Sequence, residues 1–171
     1  MTYQWYYKMD LDGETPMSRA IKCGHELLIH LMLFQETDED PNEDPGSLPA
    51  LSYFGMADAV QQLLDRGADP GARDRNGEPA LHKAVRSGHL DVIEALLKHG
   101  AEVNEPGLSG MTAMHWAALN GRTDVAECLM QHDVELSQPW RGDGNLTPLS
   151  VATLMGYEEM SSLLESSGAT Y

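Results

Sequence analysis

Five glycines set the frame of this sequence. Gly24, Gly55, Gly88, Gly121 and Gly156 are separated by 31, 33, 33 and 35 residues. Seven residues before each stands an apolar residue: Met17, Leu48, Leu81, Met114 and Leu149. Twelve residues after it stands a second glycine in three cases, Gly67, Gly100 and Gly168, and an aspartate, Asp133, in a fourth. A period near 33 restricts the chain to architectures that stack one small unit. Such a unit cannot bury its own apolar face, so neighbours must cover it.

The unit reads as two helices. Thr15-Pro16 and Thr147-Pro148 place a capping hydroxyl before a ring already set for a first helical turn. Pro49 falls within a first turn, so that helix survives it. The mid-repeat glycine ends the first helix by taking positive φ. The second helix carries apolar residues at i, i+1, i+4 and i+5, as in Val92, Ile93, Leu96 and Leu97, or Leu28, Ile29, Met32 and Leu33. That spacing makes one apolar face. Gly67, Gly100 and Gly168 then stop it, and Asp133 is expected to do so from the left-handed region, which Asp tolerates better than most residues. The expected fold is all-α with almost no sheet. The two ends should differ from the middle. The last second helix has serines and Glu165 where the third repeat is apolar, which suits a solvent-facing cap. At the other end Tyr3, Trp5, Tyr6, Tyr7 and Met9 are placed to cover the open face of the first unit.

Several motifs recur at this period: Thr15-Pro16-Met17, Leu81-His82, Thr112-Ala113-Met114-His115, Thr147-Pro148-Leu149 and Gly67-Ala68-Asp69. Together they resemble the ankyrin repeat family over nearly the whole chain. The resemblance implies a single solenoid domain of five helix–turn–helix repeats, near residues 10–42, 43–73, 74–106, 107–141 and 142–171, joined by hairpin-like turns. It implies that His82 and His115 hydrogen-bond neighbouring repeats. It also implies that partners dock on the first helices and turn tips, and that the chain is no enzyme.

Charge narrows the partner. Acids outnumber bases 27 to 11, giving a net charge of -16. Such a chain repels phosphate backbones and anionic lipid and attracts a basic protein, unless the acidity serves only solubility. Six acids, Glu36, Asp38, Glu39, Asp40, Glu43 and Asp44, crowd into residues 36–44, and no Lys or Arg occurs between Lys22 and Arg66. The segment is either a solvated loop or a patch for a cationic partner. Cys23 and Cys128 form no disulfide framework, which fits a reducing compartment. No secretion signal and no run of 18 apolar residues is present, so the expected address is the cytoplasm.

No catalytic or metal constellation emerges. The seven histidines lack zinc-site spacing, and no cofactor is expected. Residues 10–14 begin like a calcium loop but lack its later ligands. No phosphate loop or nucleophile motif occurs.

The candidate contacts are for a partner protein. Exposed first-helix positions should be the two residues before each mid-repeat glycine and the one following the Leu-His pair. These are Arg19, Lys22 and Cys23; Ala50, Tyr53 and Phe54; Lys83, Arg86 and Ser87; Trp116, Leu119 and Asn120; Val151, Leu154 and Met155. Tyr53, Phe54, Trp116, Leu119, Leu154 and Met155 would form an apolar strip, either a docking face or a surface that adjacent loops cover. Trp140 and Arg141, in a loop two residues longer than the period requires, either contact a partner or fold back onto a neighbouring repeat. The sequence thus points to a chain that is monomeric when free and acts as a stoichiometric inhibitor of immunity-protein type. The alternative is an adaptor that tethers two partners.

Overall fold

In the computed structural model, residues 16–24, 47–107, 109–140, 142 and 144–171 are described. They form helices α1 (Pro16–Lys22), α2 (Ser47–Phe54), α3 (Ala57–Asp65), α4 (Ala80–Ser87), α5 (Leu90–Lys98), α6 (Ala113–Leu119), α7 (Thr123–Met130), α8 (Pro148–Met155) and α9 (Glu158–Ser166). Among the described residues the only strand-like pairings are two isolated bridges, Arg73 with Pro79 and Trp140 with Leu146. The expected all-α stack is what forms. First helices pack on first helices, α1 on α2, α2 on α4, α4 on α6 and α6 on α8, while α3, α5, α7 and α9 make the second layer. The expected second helix of the first unit (Leu28, Ile29, Met32, Leu33), the expected N-terminal cover (Tyr3, Trp5, Tyr6, Tyr7, Met9) and Thr15 lie outside the described residues.

The core sits between the layers. Leu51, Leu81, Ile93, Leu96, Met114, Leu129, Leu149, Met160 and Leu164 are fully buried. In α9, Met160 and Leu164 turn inward while Glu165 is exposed and Ser161 half-buried, so the last helix presents a polar outer side as expected. Pro16 and Pro148 open α1 and α8, and Thr147 Oγ1 accepts the Ser150 amide at 3.3 Å. Pro49 is buried inside α2, which continues through it.

A repeated contact locks one unit to the next. In three places the residue after a mid-repeat glycine lies over the glycine of the unit before: His89 over Gly55, Arg122 over Gly88, Tyr157 over Gly121, whereas Gly24 is left uncovered by Met56. At Gly55 a methyl group would meet the His89 ring at 2.5 Å, and the φ of +73° is one that side chains rarely adopt. The same three residues, with Met56, precede the second helices and offer no side-chain cap. The exposed amides are compensated instead by acids in each first turn: Asp58, Asp91, Asp124, and Glu158 with Glu159.

One terminator differs from expectation. Gly67, Gly100 and Gly168 take φ values of 91°, 93° and 91°, but Asp133 does not enter the left-handed region. The α7 terminus is held from outside. Asn104 of the preceding turn donates to the Asp133 carbonyl at 2.8 Å and accepts from the Glu135 amide at 2.7 Å. That clamp replaces the local bonds from Ala68, Ala101 and Ala169 amides that close the other second helices.

Candidate functional site

The first helices present the face on which the predicted contacts fall. Tyr53 and Phe54 end α2, 47% and 45% exposed, their rings edge to face with centroids 5.2 Å apart. Leu154 and Met155 end α8, 75% and 47% exposed. Between them come α4 and α6, where Arg86 and Asn120 are exposed and Trp116 and Leu119 are half-buried against the core. The strip is therefore two apolar patches flanking a mixed centre. The structure brings Arg86 and Trp116 together, with the guanidinium carbon 4.6 Å from the centre of the indole ring. Trp116 Nε1 is closed off from solvent with no hydrogen-bond partner among the described residues.

Two expected positions behave differently. Val151 is buried rather than exposed. Its register, five residues before the glycine, lies at the foot of the face, where Ala50, Lys83 and Trp116 are half-buried, so the position is more enclosed than the pattern suggests. Trp140 takes the folded-back alternative: its Nε1–H donates to the Ser109 carbonyl at 2.7 Å and its backbone pairs with Leu146. Arg141, Asp38, Glu39, Asp40, Glu43 and Asp44 lie outside the described residues, as do Glu36 and the rest of that acidic run.

The two histidines at the Leu-His position are structural. His115 is fully buried. Its Nδ1 faces the Thr112 amide and hydroxyl at 3.2 and 2.8 Å, so Nε2 carries the proton and donates to the Leu146 carbonyl of the next unit at 3.1 Å. Burial holds its pKa below the usual histidine value, the Leu146 carbonyl opposes that, and nearby His82 adds to it. His82 is equally buried and meets Glu78 Oε1 at 3.2 Å through Nδ1. That contact stays within its own repeat, and its Nε2 has no partner among the described residues. Lys83 is tied to Asp74 at 2.7 Å. Burial works to raise the Asp74 carboxyl, but Lys83 and the Glu78 and Asn76 amides outweigh it and keep the pKa below the usual carboxylate range.

Net charge hides a division between the layers. The five described first helices contain no acid and four bases, Arg19, Lys22, Lys83 and Arg86. The four described second helices carry nine acids, Asp58, Asp65, Asp91, Glu94, Asp124, Glu127, Glu158, Glu159 and Glu165, against one base, Lys98. This was readable from the sequence once helices were assigned; total charge alone concealed it. Among the described residues no three His, Cys, Asp or Glu side chains cluster closely enough to hold a metal ion, and no helix is long and apolar enough to cross a membrane.

Comparison with known proteins gives a consistent picture. A family model described as ankyrin repeats (3 copies) matches residues 48–139 and 109–171. The chain is 35% identical over 81 residues to the E3 ubiquitin-protein ligase KEG of Arabidopsis thaliana, covering 45% of this chain and 5% of that protein. It is 34% identical over 73 residues to ankyrin repeat and SAM domain-containing protein 6 of Mus musculus, covering 41% and 8%. It is 33% identical over 81 residues to glycerophosphocholine phosphodiesterase gde1 of Schizosaccharomyces pombe, covering 45% and 7%. The matched stretches are thus small parts of much longer proteins.

Proposed function

This chain belongs to the ankyrin repeat family, whose repeats form protein-binding modules, and on that premise we propose that it is a stoichiometric binder that holds and neutralises one partner protein through its first-helix face. The observation that carries the reading is the set of large apolar side chains left in solvent, Tyr53, Phe54, Leu154 and Met155, on helices whose opposite sides are fully buried. Aromatic anchors on a rigid frame bind at little entropic cost. Trp116, Leu119 and Asn120 complete the face at its centre. The net charge of -16 favours a partner with a basic surface. The second-helix acids and the run at residues 36–44 would speed its approach without needing fixed contacts. No catalysis is assigned to the chain.

A second reading, an adaptor, is favoured by the division of charge: two layers of opposite character could each take a different partner. Isolation of the native complex separates the two. A neutraliser gives a one-to-one complex by light scattering, with the partner's own activity lost and restored when Trp116→Ala is used. A ternary complex in which both partners stay active overturns neutralisation in favour of tethering.

A further inference from the structure

We propose that the segment held by the first-helix face carries a carboxylate beside a large apolar side chain, with Arg86 as its recognition point. This rests on the first-helix face being the docking surface and names what that surface takes. Arg86 is exposed, and among the described residues no carboxylate pairs with it. Its neighbour in space is the Trp116 ring. A guanidinium lying over a ring face makes no hydrogen bond there, so its N–H groups stay free, and its edge matches a carboxylate in two-point fashion. The cation is thus held ready and unsatisfied.

The surroundings agree with the sign. No first helix among those described bears an acid. Tyr53 with Phe54 on one side and Leu154 with Met155 on the other offer apolar ground for a segment crossing Arg86. The acids of the second layer would repel such a segment from afar. They stand a helix diameter or more away, about 10 Å, while charges in physiological salt are screened over about 8 Å. At contact range the local cation decides. A lysine-rich segment, by contrast, would meet only bases on the described first helices, and Asp74 of the turn beside α4 is already taken by Lys83.

Selection of random twelve-residue peptides displayed on phage against the immobilised full-length chain tests this. Enriched peptides should hold Asp or Glu near Trp, Phe, Leu or Met. Replacing their acid by the amide should weaken binding about tenfold, the size of one charge-assisted pair. Arg86→Glu should turn the selection toward Lys and Arg, and Arg86→Gln should remove the charge preference while apolar enrichment persists. Arg86 is a surface side chain, so both variants keep the fold, and the melting curve verifies that. Peptides that are enriched in bases, or an acid preference that survives Arg86→Glu, overturn the inference. A further variant, Phe54→Ala with Leu154→Ala, separates the two layers of the reading. If it leaves peptide binding untouched, the face itself is misplaced and both fall. If it abolishes binding of peptides that carry no acid, only the carboxylate is wrong.

Discussion

At the scale of single residues, His115 shows how a buried polar group constrains pH behaviour. Thr112 supplies two donors to Nδ1 and Leu146 an acceptor to Nε2, so the neutral ring fits and the charged ring does not. The folded-state pKa lies below the unfolded one, which means the native state binds fewer protons. The stabilising contribution is complete above the unfolded value, about 6.5, and is lost as pH falls from there toward the folded value. Asp74 and Asp124 are depressed too, in part through Lys83 and Arg122, but their contributions are lost only as pH drops below about 4, a separate window. Chemical denaturation at pH 7 and pH 5.5 should show the native chain weakening. His115→Asn should be less stable at pH 7 by about 1–3 kcal/mol, through unmet partners, yet lose less between the two pH values. An identical slope in both proteins would assign the loss to another group. The role of this histidine was legible from its place in the repeat. The bond geometry that forbids protonation was not, because it needs the Leu146 carbonyl of the next unit, which sequence does not place.

At the scale of the helix, the frame of glycines and the i, i+1, i+4, i+5 apolar spacing foretold the four pairs described in full, since both are local rules. What failed was the end of α7. Asp133 stands in the glycine's register and can adopt positive φ, but it is not obliged to when another group closes the turn. Asn104 supplies that group from 29 residues away in sequence. Non-local closure of this kind leaves no trace in the local pattern. The two stabilising modes should differ in size. Leu96→Ala, at a fully buried position, should cost about 2–5 kcal/mol through the cavity it leaves. Asn104→Ala removes two bonds at a partly wet turn and should cost about 1 kcal/mol, with amide exchange rising first at the α7 end. Equal costs by urea unfolding would mean that the inter-layer core is not where the stability resides.

For the whole molecule, the charge balance is expected to set rates more than lifetimes. Contacts made by acids in solvent are individually weak, but their summed field reaches a partner before contact. Neutralising the six acids of residues 36–44 should slow association with a basic partner about tenfold at low salt, and much less near physiological salt. Trp116→Ala should instead raise the dissociation rate, since desolvated aromatic groups govern residence. Stopped-flow measurement on both variants tests the split; a neutralised run that alters only dissociation would place those acids inside the interface. Total charge was plain in the sequence, whereas its partition between layers emerged only with the helix pairs, because a solenoid sorts neighbours in sequence onto opposite sides.

The contacts of His89, Arg122 and Tyr157 have an evolutionary side. Each reaches the mid-repeat glycine of the preceding unit, and two of them bond backbone carbonyls there, His89 to Tyr53 and Arg122 to Gly88. A lock that reads only main chain is indifferent to the side chains beside it. Residues such as Tyr53, Phe54 and Ser87 can therefore drift without loosening the join beneath them. If the proposed docking face is the true one, a change of partner would need changes only in that surface and none in the join.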